Sequence, residues 1–219
     1  MSFAQNYHKW ILSEFSPFLG SSIAEIGAGA GNFSRLLLDM EIQSLAAFEP
    51  SHNMFPLLHD AVKQDSRATA INSYFEAEAC PTLFDSILYV NVLEHIESES
   101  RELANAYAGL QPGGYLLLFV PALPWLFSEF DRNVGHHRRY NKKPLIHLVS
   151  SAGFMPIKTI YFDIAGILPW YVNFTLMKNS MSASSVSVYD RLVVPIMKSL
   201  ESFYSPPIGK NLLMIAQKS

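Results

Sequence analysis

Apolar residues recur along the chain with two alternating periods. Phe3, Tyr7, Trp10, Ile11, Phe15 and Phe18 fall at three- and four-residue steps, which predicts an amphipathic helix closing near Ser16-Pro17. Ile23-Ala24-Glu25-Ile26 is a short apolar run ending in glycines, a first strand, and Phe33, Leu36, Leu37 and Met40 mark one face of the helix after it. The alternation continues with strands at 44–48, 68–71, 85–90 and 115–120 and helices at 54–62 and from near Ser98 to Leu110. Gln111-Pro112-Gly113-Gly114 is the turn before the fifth strand. Strands alternating with helices predict a parallel sheet covered on both faces, an α/β, Rossmann-like doubly wound domain.

After Pro121 the rhythm changes. Residues 121–141 read as a long loop rich in aromatic and basic side chains. Leu145, Leu148, Val149 and Ala152 form another helical face stopped by Gly153, and 157–161 is a sixth strand. Residues 162–210 are apolar and irregular, with a helix around Tyr189 to Phe203 and a mobile loop expected at Ser180 to Ser187. Residues 212–217 read as a last strand. With no internal repeat or boundary, the expectation is one domain over 1–219. Residues 1–20 would be a lid helix, 121–143 an acceptor-side loop and 162–210 an insertion before the last strand.

Composition narrows this picture without redirecting it. A 219-residue chain with 49% hydrophobic and 16% charged residues and a net charge of −3 is an ordinary folded protein, and its acidic balance disfavours nucleic acid as a partner. The single cysteine, Cys80, rules out an intrachain disulfide and a cysteine-based metal site; no metal is expected. The N-terminus lacks a basic start followed by an apolar run, and the most apolar stretch, Ile164 to Val172, is far shorter than the roughly 20 residues of a spanning helix. A cytoplasmic protein is the default. The aromatic 162–210 segment leaves an apolar acceptor pocket, a homodimer interface and peripheral membrane contact as open alternatives.

The densest chemical signal is Glu25-Ile26-Gly27-Ala28-Gly29-Ala30-Gly31-Asn32-Phe33. Alternate glycines let the chain turn sharply from strand to helix and let a ligand approach the backbone. A dinucleotide fingerprint needs its third glycine one residue later, and a phosphate loop needs Gly-Lys-Ser/Thr. Glu25 sits poorly beside a pyrophosphate and suits a cationic ammonium group. Glu49 ends the second strand, where a carboxylate can accept both hydrogens of a ribose diol.

The order of elements, the E-x-G-x-G-x-G turn and the acidic end of the second strand resemble the class I S-adenosylmethionine-dependent methyltransferases. Phe84 to Ile96 (FDSILYVNVLEHI) is similar to the fourth-strand motif of their ubiquinone-biosynthesis-like branch, and Pro112-Gly113-Gly114 matches the turn before their fifth strand. The resemblance covers about Ala4 to Phe154. It implies a mostly parallel seven-stranded sheet with an antiparallel last strand, and S-adenosylmethionine as cofactor. Glu25, Gly27, Ala28, Gly29 and Gly31 would hold its methionine and ribose portions, and Glu49 the diol. Pro50 and Met54 would pack on the adenine, Ser73 and Tyr74 would lie at its edge, and Asn91 and Val92 would floor the site. Asn72-Ser73 departs from the acidic residue common after the third strand, which weakens the adenine assignment.

Methyl transfer needs a general base only when the nucleophile arrives protonated. His95, after the fourth strand, and His137 are the candidate bases, each with a structural alternative; Glu94 reads as a loop anchor. Four of the sixteen Lys and Arg residues lie between 138 and 143, in Gly135-His136-His137-Arg138-Arg139-Tyr140 and the lysines after it. Arg138 or Arg139 would orient an anionic small-molecule acceptor, with His136 and Tyr140 beside it. Internal salt bridges to Glu129, Asp131 or Asp163 are the alternative. Tyr7 and Trp10 would face the sulfonium or simply pack in the core. The competing functional readings are an NAD(P)- or nucleotide-sugar-binding oxidoreductase, disfavoured by the glycine spacing, and a non-catalytic cofactor-binding subunit.

Overall fold

The computed structural model describes residues 4–177 and 183–219. In chain order its elements are α1 (Gln5–Phe15), β1 (Ser22–Ile26), α2 (Asn32–Leu38), β2 (Ser44–Phe48), α3 (Phe55–Val62), β3 (Ala68–Ile71), β4 (Phe84–Val90), α4 (Glu99–Gly109), β5 (Leu110–Pro121), α5 (Glu129–Asn133), α6 (Lys142–Ser151), β6 (Phe154–Phe162), α7 (Ile167–Trp170), α8 (Ala183–Leu192), α9 (Val194–Phe203) and β7 (Asn211–Lys218). The strands form one sheet in the order β3-β2-β1-β4-β5-β7-β6. β7 runs antiparallel between β5 and β6, and the other neighbours pair in parallel. The strand order reverses between β1 and β4, and ligands of open α/β sheets bind at the carboxyl ends beside such a switch point.

β5 shows why its run is uninterruptedly apolar: Leu116, Leu118 and Val120 face one core and Leu117 and Phe119 the other, all fully buried. The first core lies under α4 and α6, through Leu103, Ala106, Leu145 and Val149. The second joins α1, α2 and α3 through Ile11, Phe15, Phe33, Leu37 and Leu58. Within it Trp10 stacks on Phe162 with ring centroids 3.9 Å apart. The helical stripe of α1 is therefore a layer of the core; its first predicted member, Phe3, lies outside the described residues.

Three expectations require correction. Residues 121–141 are not a featureless loop: a 3₁₀ turn spans Pro124–Leu126, and α5 follows, opened by a capping box in which Ser128 and Asp131 satisfy each other's backbone. Of the loop expected at Ser180 to Ser187, residues 180–182 lie outside the described residues, and 183–187 belong to α8. The single helix expected around 189–203 is two, because Pro195 cannot donate within a continuous helix and opens α9 instead.

Among the described residues of the 162–210 segment, 164–176 and most of 183–203 are helical, with a π-helical turn at Tyr171–Leu176 after α7. Val188, Leu192, Ile196, Leu200 and Phe203 repeat at three- and four-residue steps along α8 and α9 yet are exposed, Phe203 by 90%. Among the described residues no helix is long and apolar enough to cross a membrane.

Candidate functional site

The cradle forms where β1 ends. Gly27, Gly29 and Gly31 take φ values of +65°, +58° and +75°, a left-handed conformation that side chains rarely adopt. A Cβ on Gly27 would meet Val92 Cγ2 at 2.6 Å, and one on Gly31 would meet Ala61 Cβ at 2.7 Å, so these two glycines also permit close packing against the turn after β4 and against α3. A Cβ on Gly29 would meet nothing within 4 Å. At that position the backbone faces open space.

Two carboxylates frame the opening. Glu49 is buried at the end of β2; its Oε2 accepts the Gly29 N–H at 2.8 Å and its Oε1 the Ser51 N–H at 2.8 Å. Each carboxylate oxygen has a second lone pair for a ligand hydroxyl. Glu25 is 3% exposed, and the Ser34 hydroxyl donates to its Oε2 at 2.5 Å. Burial pushes its carboxyl up to about 8, aided by the nearby Glu49 and opposed by the Ser34 hydrogen bond. A buried acid of this kind, next to an open backbone, suits a cationic ligand group. Ala28 is buried, its N–H donating to Phe48 O at 2.9 Å, and so pins the turn to β2.

The remaining cofactor candidates are distributed around this frame. Pro50 and Met54 are half-buried between β2 and α3, whereas Ser73 and Tyr74 are exposed. Asn72, the departure noted above, has a definite part: its side-chain amide donates to Glu49 O at 2.8 Å and fixes the strand end. Asn91 adopts φ +55° and donates its N–H to Phe119 O at 2.8 Å, placing Val92 against Gly27.

A second cluster lies beyond β4. Glu94 is fully buried, and neither carboxylate oxygen has a hydrogen-bond partner among the described residues. Burial raises its carboxyl to about 8; the Arg139 charge opposes this and Asp131 adds to it. Asp131 is also fully buried, yet its carboxyl lies at about 2, because burial is outweighed by donors from His136, Arg139 and Ser128. His136 Nδ1 is 2.9 Å from Asp131 Oδ1, and Arg139 reaches the same oxygen through Nε at 2.9 Å and Nη2 at 2.8 Å while its guanidinium lies 4.5 Å from the Trp170 ring centroid. Asp131 carries no signal as a site residue, although the Ser128-x-x-Asp131 spacing announces its capping role.

Both arginines of the basic run have internal partners. Arg138 pairs with Glu99 and donates to Glu97 O at 2.9 Å; the Tyr140 hydroxyl donates to Glu99 at 3.2 Å and its ring is buried. His95 is exposed, edge-on to His136 with centroids 4.6 Å apart, and desolvation and the neighbouring His136 lower its imidazole. His137 is exposed and donates its backbone N–H to Glu94 O at 2.8 Å. Tyr7 stands elsewhere: its ring meets Trp10, Phe119 and Phe162 edge-on, its hydroxyl donates to Asn211 Oδ1 at 3.0 Å, and Lys210 Nζ lies 4.9 Å from its centroid. Lys210 in turn is 2.9 Å from Asp163 Oδ2, and Tyr189 donates to Asp163, so the insertion is locked to α1 by groups no local motif singles out.

Residues 3–159 match the family of methyltransferase domains. Among solved structures, the N-methyltransferase NodS from Bradyrhizobium japonicum in complex with S-adenosyl-L-homocysteine is 16% identical, with a TM-score of 0.64 over 99% of this chain and 87% of that one. A SAM-dependent methyltransferase from Archaeoglobus fulgidus is 16% identical, with a TM-score of 0.64 over 98% and 94%. A structure of the Haloferax volcanii Trm112 methyltransferase activator with its methyltransferase gives 14%, 0.65, 98% and 89%. No curated protein matches the sequence.

Proposed function

From the premise that this chain belongs to the methyltransferase domain family and is a class I S-adenosylmethionine-dependent methyltransferase, we propose that it methylates a small molecule with an apolar body and an anionic group. The observation that carries the cofactor half is Gly29, open to solvent between the buried Glu25 and the backbone-anchored Glu49. Glu49 would hold the ribose diol, Glu25 and the 27–31 turn the methionine portion, Pro50, Met54, Ser73 and Tyr74 the adenine, and Asn91 with Val92 the floor. When bound, S-adenosylmethionine supplies an electrophilic methyl group on a sulfonium; the chain's own residues orient the reactants and keep water out.

For the acceptor, support comes from the aromatic wall of Phe130, Trp170 and Phe174, whose centroids lie 4.5 to 5.4 Å apart, beside the π-helical turn. Trp170 Nε1 and Thr175 Oγ1 are buried there without hydrogen-bond partners among the described residues, polar points in an apolar lining. Arg138, half-buried and held by Glu99, is the cation we assign to the anionic group, with His136, His137 and Tyr140 close to it in the chain. His95 and His137, both exposed, are the side chains that would accept a proton from a hydroxyl acceptor. The exposed stripe of α8 and α9 suits a homodimer or a membrane surface.

Calorimetry with S-adenosylhomocysteine and with NAD tests the cofactor half: binding of NAD alone would overturn the reading. A transfer assay over carboxylated and phosphorylated apolar acceptors tests the other half. Arg138→Ala is expected to raise KM for the anionic acceptor at least tenfold; unchanged kinetics would remove Arg138 from the acceptor site.

A further inference from the structure

We propose that Glu94, His95 and His136 bind one divalent transition-metal ion. Their ligating atoms all lie within 4.8 Å of one another, with His136 Nε2 3.9 Å from Glu94 Oε1. Ligand atoms around a four-coordinate zinc, with bonds of about 2.0–2.2 Å, stand roughly 3.4 Å apart. The cluster is therefore slightly open, and small side-chain rotations close it around an ion.

Three observations point to a cation rather than to a structural polar cluster. Glu94 is fully buried with both carboxylate oxygens unpartnered among the described residues, and a buried carboxyl that stays ionised is otherwise paired or coordinates a metal. The nearby cation is committed elsewhere: Arg139 places two nitrogens on Asp131 Oδ1. His136 is also held in the manner of a metal ligand, because its Nδ1 is 2.9 Å from Asp131 Oδ1 and its other nitrogen, Nε2, is 3.9 Å from Glu94 Oε1. Carboxylate–histidine–metal relays of this kind orient imidazole ligands.

Two imidazoles and one carboxylate favour zinc, cobalt, manganese or iron over calcium or magnesium, and three protein ligands leave a coordination position open. The turn carrying Glu94 and His95 begins one residue after Val92, which packs on Gly27, so the cluster stands next to the cradle at the carboxyl end of β4. The open position could take an acceptor oxygen, with His137 alone left to accept its proton because a metal-bound His95 has no free lone pair; that role rests on the methyl-transfer reading, whereas the ion site does not.

Cobalt titration of chelator-stripped protein saturated with S-adenosylhomocysteine, followed by visible absorption and by competition with a chromophoric chelator for zinc, tests the proposal. One equivalent is expected. Glu94→Gln and His136→Ala should each weaken binding at least tenfold, and Asp131→Asn by about 10–100-fold. His95→Ala alters an exposed residue and tests the site without disturbing the core, while His59→Ala, on the far side of the cradle, should change nothing. Absence of a bound equivalent, or binding unchanged in Glu94→Gln and His95→Ala, overturns the site. The same calorimetry separates the failures: retained S-adenosylhomocysteine binding without metal sinks only this proposal, and failure of that ligand to bind sinks the methyltransferase reading whatever the metal result.

Discussion

Glu49 reaches across from β2 and holds Gly29: its Oε2 accepts the Gly29 N–H at 2.8 Å while Oε1 accepts the Ser51 N–H. One side chain thereby fixes the glycine turn and the strand end in a single geometry before any ligand arrives, which lowers the ordering cost of binding. Glu49→Gln keeps the shape but turns one acceptor into a donor facing a backbone N–H. S-adenosylhomocysteine affinity, measured by calorimetry, should fall by about 10- to 100-fold, the consequence of an unpaired polar group. Affinity within twofold of the parent would show that the diol is bound elsewhere.

The glycines of the turn should separate experimentally. Gly29→Ala adds a methyl that meets nothing in the protein, so its cost to stability is the left-handed backbone alone, about 1–2 kcal/mol. Cofactor affinity should nevertheless fall at least tenfold. Gly31→Ala drives a methyl to 2.7 Å from Ala61 Cβ and adds overpacking of about 1–3 kcal/mol to the same backbone cost. Urea unfolding should therefore place Gly31→Ala well below Gly29→Ala; the reverse order would refute the packing assignment.

Stability should depend on pH with an unusual sign. Glu25 and Glu94 both lie at about 8, above their ordinary 4.5, so the folded state binds protons more tightly than the unfolded one. Their contribution is complete below 4.5 and is lost as pH rises through about 8. Asp131, at about 2, acts oppositely and loses its contribution only as pH falls through that value. Calorimetric Tm without ligand should decline from mildly acid to mildly alkaline pH, and Glu25→Gln should flatten the decline. A slope identical in parent and variant would mean that Glu25 is ionised in the folded chain.

Asp190 supplies a cap that α1 lacks locally. Ala4 stands at the N-cap without a side-chain acceptor, and Asp190 takes the N–H of Asn6 at 3.0 Å and of Tyr7 at 2.8 Å. Asp190→Ala should cost about 0.5–2 kcal/mol in urea unfolding. Hydrogen exchange should quicken at Asn6 and Tyr7 more than at buried Phe15. Unchanged exchange there would show that the cap contributes nothing.

The contrast between Glu49 and Asp190 explains what was readable in the chain. β1, the glycine turn and β2 follow from neighbours in sequence, and a carboxylate at a strand end announces itself by position. Asp190 acts on residues 183 and 184 positions away, a partnership that no window of sequence contains. Likewise the sequence shows Arg138 and Arg139 as bare cations, whereas in the fold Glu99 and Asp131 already pair with them. The helices of the insertion were harder because the apolar stripe of Val188, Leu192, Ile196 and Leu200 faces solvent, whereas periodicity arguments assume that such a stripe faces a core.

The place of β7 has a consequence for synthesis. Among the described strands it is made last, yet it lies between β5 and β6, and β6 pairs with no other of them. Until residues 211–218 emerge, the nascent chain carries β5 with an open apolar edge and β6 with nothing to register against. Such edges invite pairing between chains. The vulnerable interval in this protein's life is therefore its birth, and eight residues bring that interval to a close.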